Sequence, residues 1–130
     1  MSAARPLVLV VDDDPAICEL VRECLESEGY CVESTPDSAA GLARIHAGGV
    51  DLALIDARLP DENGVELCRL IRQQPTGARL PLILFTAMPG DVKGYAAAAG
   101  ANDLLPKPFD LDQLVACIRR WLPPPNASAS

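Results

Sequence analysis

Aromatic residues are scarce: two Phe, two Tyr and one Trp make up 4% of 130 residues. A core must therefore be built from Leu, Val, Ile and Ala. No apolar run approaches the roughly 18 residues of a membrane-spanning helix, which excludes one. Residues 1–6 lack the long apolar core of a secretory signal. The five cysteines, Cys18, Cys24, Cys31, Cys68 and Cys117, are odd in number and none forms a C-x-x-C pair, so no disulfide framework is indicated. They read as small buried or half-buried thiols of a reducing cytosol. A basic excess is also missing: 11 Lys and Arg face 18 Asp and Glu, a net charge of -7. That balance argues against a nucleic-acid-binding face. Histidine occurs once, as His46, near a predicted helix end, and reads as a surface residue.

What is present fits one domain of common size. Hydrophobic residues make up 49% and charged residues 22%, ordinary for a water-soluble globular chain. Leu7 to Val11, Leu52 to Ile55 and Leu82 to Phe85 are unbroken apolar runs, the pattern of strands buried on both faces. Tyr30 to Ser34 and Asp103 to Leu105 complete a predicted set of five strands. Helices fill the gaps. Asp14 caps the first, with Pro15 at its first turn, and Gly29 ends it. The second covers about Asp37 to Ala47, the third Val65 to Gln74 and the fourth Asp91 to Ala99. The last is capped by Asp110 and carries Leu111, Leu114, Val115, Ile118 and Leu122 on one face. This alternation predicts an α/β fold, a doubly wound parallel sheet with helices on both faces. Residues 1–122 form the expected domain, and 123–130, PPPNASAS, read as a disordered tail or the start of a linker.

In such sheets ligands bind beyond the carboxyl ends of the strands. The first strand ends in Asp12 and Asp13, the third in Asp56, the fourth in Thr86, and Lys107 follows the fifth. Three carboxylates on one edge repel unless a cation sits among them. Oxygen-only ligands select a hard ion such as Mg²⁺. A lysine and a threonine at the same edge add donors for phosphoryl oxygens. Each residue has a plainer explanation taken singly: a cap, a turn, a solvated loop, a surface lysine. The functional reading rests on their convergence.

The segments VLVVDDDP, DLALIDARLPDENG, LILFTA and LLPKPF stand in order along the chain. Over about residues 6–122 they resemble the receiver domain of two-component response regulators. The resemblance implies a flavodoxin-like sheet of five parallel strands, order 2-1-3-4-5, flanked by five helices. It implies that Asp56 accepts a phosphoryl group from a sensor histidine kinase or a histidine phosphotransfer protein. Asp12, Asp13, Asp56 and the backbone carbonyl of Arg58 match the Mg²⁺ site. Thr86 and Lys107 match the residues that contact the phosphoryl group and switch. Lys107-Pro108 matches a peptide bond that is typically cis, with Pro108 the cis-proline. The domain is then a signalling switch rather than a conventional enzyme, catalysing only its own phosphorylation and dephosphorylation. Signalling is expected through the face of the fourth helix, fifth strand and fifth helix, to a partner protein, an output domain or a second copy. Direct nucleic-acid binding and membrane insertion are not expected, and the implied location is cytoplasmic.

Four positions depart from or vary within that pattern. Leu104 stands at the switch-partner position, where an aromatic is common. Pro106 cannot donate a backbone hydrogen bond. Arg58 and Met88 flank the acceptor at positions that tune phosphoryl lifetime. Two other readings stay open. A haloacid-dehalogenase-like phosphatase would use Asp12-x-Asp14 and leave Asp56 idle. A receiver-like module that is never phosphorylated would be expected to lack an acid, the lysine or the acceptor, and all are present.

Overall fold

Strands and helices alternate from one end of the chain to the other. The computed structural model describes residues 5–87 and 89–123. Met88 and the tail residues 124–130, to which sequence readings were attached, lie outside the described residues. The elements are β1 (Leu7–Val11), α1 (Pro15–Ser27), β2 (Cys31–Thr35), α2 (Ser38–His46), β3 (Leu52–Asp56), α3 (Gly64–Arg72), a 3-10 turn (Pro75–Gly77), β4 (Leu82–Thr86), α4 (Pro89–Ala99), β5 (Asp103–Pro106) and α5 (Leu111–Trp121). The five strands pair in parallel in the order β2-β1-β3-β4-β5. The chain reverses its winding between β1 and β3, where such sheets open a crevice at their carboxyl edge.

The unbroken apolar runs are explained by the two layers of helix. In β1, Val8 and Val10 join one cluster with Val21 and Leu25 of α1 and Leu114 and Ile118 of α5. Leu9 and Val11 face the other way, with Ile45 of α2, Leu67 and Ile71 of α3 and Ala96 and Ala99 of α4. Successive strand residues point to opposite faces, so a strand covered on both sides needs apolar residues throughout. Each fully buried Leu, Ile or Val adds about 1.5–3 kcal/mol of favourable transfer free energy.

Several boundaries differ from the sequence expectation. β2 begins at Cys31 rather than Tyr30, because Tyr30 is wholly buried and its hydroxyl donates to the Leu122 carbonyl at 2.5 Å. The ring belongs to the corner against α5, not to the ladder. β2 is an edge strand with a wet face, and Cys31 is exposed on it. The reading of all five thiols as buried or half-buried is thus corrected at that residue. α3 stops at Arg72, and Pro75 opens a separate 3-10 turn, because proline cannot extend a helix interior. α4 begins at Pro89, two residues earlier than expected, since proline is accepted in a first turn. α2 and α3 lie within a residue or two of the expected spans, and Asp110 caps α5 through a reciprocal box with Gln113.

Candidate functional site

Each acidic residue is delivered by the end of a buried strand. Asp12 follows β1, and its backbone N–H donates to the Thr35 carbonyl at 3.0 Å. Its Oδ1 accepts the Asp14 N–H at 2.8 Å, while Asp14 caps α1 by accepting from Ala16 at 2.9 Å. Asp12 is 2% exposed and Asp56 8%; Asp13 is exposed. Asp56 is the last residue of β3 and lies opposite Phe85 of β4. Its Oδ1 accepts the Arg58 N–H at 3.1 Å.

One carboxylate oxygen from each of Asp12, Asp13 and Asp56 lies within 4.8 Å of the others. At that separation two like charges repel by about 3 kcal/mol at an effective dielectric near 20, with the exposed Asp13 more screened. The ammonium of Lys107 relieves part of this. It stands 3.3 Å from Asp56 Oδ2 and 3.5 Å from Asp12 Oδ2. It also lies over the Phe85 ring, 4.4 Å from the centroid, a cation–π contact that holds the lysine stem. Asp12 Oδ2 is buried and makes no hydrogen bond; its 3.5 Å approach to Lys107 is an ion pair only. Burial holds the Asp12 carboxyl above its ordinary value, and the Asp56 charge pushes the same way. The Asp14 N–H and Lys107 draw it back only in part.

A buried carboxylate oxygen with no hydrogen-bond donor, inside a triad of hard oxygens, is a donor set that a small divalent cation fits. Asp12, Asp13 and Asp56 could hold such an ion.

β4 and β5 carry the other two residues. Thr86 ends β4, is 7% exposed and lies in register with Pro106. The Lys107 N–H donates to the Thr86 carbonyl at 2.7 Å, so the ladder itself places the lysine beside the acids. Lys107-Pro108 is cis, as expected. Pro106 does no harm because β5 is an edge strand, where a missing donor is tolerated. Leu104 pairs with Leu84 and is half-buried against the cluster of α2, α3 and α4. Arg58, Thr86 and Lys107 line a cleft of about 870 Å³ that runs from Asp56 toward Val65 and Tyr95.

Three residues of the site escaped sequence reasoning. Gly64 closes the loop after β3: its N–H donates to the Ala57 carbonyl at 2.9 Å, and a Cβ there would sit 2.3 Å from the Asp56 carbonyl oxygen. The Asn63 cap just before it was the available signal. Phe85 supplies the ring beneath Lys107, a contact between residues far apart in sequence. Asp61 reaches from the same loop to α2; no local pattern announces it.

A family model described as the response regulator receiver domain matches residues 8–119. Response regulator MprA of Mycobacterium ulcerans (strain Agy99) is 40% identical over 116 residues, 88% of this chain and 49% of that protein. The DNA-binding dual master transcriptional regulator RpaA of Synechocystis sp. is 35% identical over 120 residues, 90% of this chain and 49% of that protein. The chain thus spans about half the length of these curated relatives. Among solved structures, chemotaxis protein CheY4 of Vibrio cholerae superposes with a TM-score of 0.87 at 30% identity, covering 92% of this chain and all of that one. The receiver domain of sensor histidine kinase PA1611 from Pseudomonas aeruginosa, solved with magnesium in its active-site cleft, gives 0.83 at 33% identity over 91% of this chain and 98% of that one.

Proposed function

The chain belongs to the response regulator receiver domain family, and from that premise we propose that Asp56 is its phosphoacceptor, in a Mg²⁺-dependent site that switches the α4–β5–α5 face. The observation that carries this reading is the convergence of Asp12, Asp13 and Asp56 within 4.8 Å, with Lys107 Nζ 3.3 Å from Asp56.

A carboxylate oxygen of Asp56 attacks the phosphorus of a phosphohistidine in line. The new O–P bond forms as the P–N bond breaks, and the electron pair leaves with the imidazole nitrogen. The product is an acyl phosphate. Lys107 receives one phosphoryl oxygen as it releases its ion pair with Asp56, and the Thr86 hydroxyl donates to another. Asp12, Asp13, Asp56 and the Arg58 carbonyl hold Mg²⁺ in this reading; when bound, the ion neutralises charge gathered on the transferring group. Loss of the phosphoryl group to water restores the Asp56 carboxylate, with Arg58 beside the path of the attacking water.

The phosphoryl group adds a charge of about −1.5 to −2. Because the Lys107 N–H is bonded to the Thr86 carbonyl, movement of Thr86 toward that charge pulls on both β4 and the start of the β5–α5 loop. The phosphoryl source is a sensor histidine kinase or histidine phosphotransfer protein, and the recipient of the signal is a partner protein, an output domain or a second copy of this chain. The domain takes residues 1–122, since α5 ends at Trp121 and prolines follow. It does not itself bind nucleic acid. No helix among the described residues is long and apolar enough to cross a membrane. Cytoplasmic action is part of the reading, supported by five free cysteines.

Incubation with a small phosphodonor tests the proposal. Incorporation that needs Mg²⁺ and is removed by hydroxylamine, as acyl phosphates are, supports it. Incorporation that proceeds in chelator, or that resists hydroxylamine, contradicts it.

A further inference from the structure

The loop between β3 and α3, residues 57–63, is a small closed hairpin. At its base the Gly64 N–H donates to the Ala57 carbonyl at 2.9 Å, and the Ala57 N–H donates to Phe85 of β4 at 3.0 Å. Arg58 and Asn63 form an isolated antiparallel bridge. At the outer end the Leu59 N–H donates to the Glu62 carbonyl at 3.2 Å. A hairpin this short has little stability of its own, so its tilt on its base must be set by what its outer end touches. Leu59 packs, half-buried, on the neighbouring core, a contact without direction.

Asp61 supplies the direction. Its Oδ1 accepts the Ser38 N–H at 2.9 Å. Its Oδ2 accepts the Ser38 hydroxyl at 2.9 Å and the Ala39 N–H at 3.1 Å. Ser38 itself is buried, 7% exposed. These are first-turn donors of α2, which lack partners within the helix. The chain's own cap does a different job: Asp37 accepts the Ala40 N–H at 2.8 Å. α2 thus carries two caps, one local and one from a loop 23 residues further on. The second joins the start of α2 to a separate loop, so its distinctive consequence is to dock the loop. A carboxylate fork on a helix N-terminus is directional and charge-assisted, and the Ser38 N–H, with the other donors, holds Asp61 below its ordinary value, so it is charged at neutral pH.

We propose that Asp61 is a positioning residue for phosphoryl transfer: by fastening the loop's outer end to α2 it fixes the backbone of Arg58, and with it the carbonyl assigned above to the metal. The inference rests on that reading of the site. Arg58 stands between the base of the hairpin and its docked end, so undocking frees the one ligand that comes from a loop backbone rather than from the end of a strand. A group that orients a metal ligand without touching the metal changes affinity by about 10- to 100-fold when removed.

The test is Mg²⁺ titration by calorimetry on the folded chain, comparing wild type with Asp61→Ala, Ser38→Ala and Asp37→Ala. Asp37→Ala removes the local cap and leaves the docking intact, so it controls for loss of helix stability. The expected result is about tenfold weaker Mg²⁺ binding in Asp61→Ala, a smaller loss in Ser38→Ala, and wild-type affinity in Asp37→Ala despite a lower Tm. Should Asp61→Ala fail to fold, Ser38→Ala against Asp37→Ala decides the same comparison. Equal affinity in all four proteins overturns the positioning role and leaves the metal site standing. Equal weakening in Asp61→Ala and Asp37→Ala reduces Asp61 to a helix cap and also overturns it. Absence of Mg²⁺ binding by wild type overturns the metal site itself, and this inference with it.

Discussion

The side-chain nitrogen of Lys107 lies 3.3 Å from Oδ2 of Asp56, across a ladder end that also bonds the lysine backbone to Thr86. The ammonium therefore does two things in turn. Before phosphorylation it offsets repulsion between Asp12 and Asp56. Afterwards it holds a phosphoryl oxygen and ties β5 to the modified residue.

Lys107→Ala should fold, because the lysine is at the rim, and should still accept a phosphoryl group from a small donor, though more slowly. It should not transmit. NMR of the α4 and α5 surface with a beryllofluoride mimic checks this. The mutant is expected to show less than half the wild-type shift changes; a full wild-type response would remove Lys107 from the switch.

Thr86 and Leu104 should contribute unequally. Leu104 is half-buried against Ala-rich α4 and has no hydroxyl to exchange between partners. Moving a two-state equilibrium from mostly off to mostly on takes about 5.5 kcal/mol, and a hydrogen bond to a charged group gives roughly 1.5–3 kcal/mol. Thr86 and Lys107 together just reach that scale. The expected outcome is an incomplete shift, with Thr86→Ala more damaging than Leu104→Ala in the same NMR experiment. Loss of the shift in Leu104→Ala with retention in Thr86→Ala would reverse the assignment.

Thiol reactivity should sort the cysteines by position. Burial pushes the Cys68 thiol up to about 12. Burial, then the nearby charge of Asp103, does the same for Cys117. At pH 8 about one such thiol in ten thousand is ionised, against about one in four for an ordinary cysteine. Cys31, exposed on β2, should be the first modified by an alkylating reagent, and Cys68 and Cys117 should react only on unfolding. Because these two folded-state values lie above the unfolded one, their contribution to stability is intact below about pH 9 and is lost as pH rises toward 12. Urea melts at pH 8 and pH 10.5 should show a lower midpoint at the higher pH; a higher midpoint contradicts the burial of these thiols.

Much of this was legible in the residues. Leu7–Val11, Leu52–Ile55 and Leu82–Phe85 read as buried strands because both faces are covered, and a strand covered twice leaves no polar position to confuse the pattern. Asp12, Asp56 and Thr86 were legible for the same reason: each is the first polar residue after such a run, and Asp13 follows Asp12 directly. Contacts between distant segments were not. Arg72 donates to the carbonyls of Gly77, Leu80 and Gly100, which only the packed chain brings together. Asp61 looks like one more acid in a turn, and its partner Ser38 is chosen by how α2 lies beside the loop. Tyr30 misled the strand boundary because strand propensity favours an aromatic that tertiary packing places at a corner instead.

The central claim is that Asp56 itself carries the phosphoryl group. The direct measurement is intact mass of wild type and Asp56→Asn after treatment with a small phosphodonor and Mg²⁺, followed by borohydride reduction and peptide mapping. The account predicts one phosphoryl group per wild-type chain, a homoserine residue at position 56 after reduction, and no adduct on Asp56→Asn. Equal labelling of both proteins, or reduction mapped to Asp12 or Asp13, would contradict it.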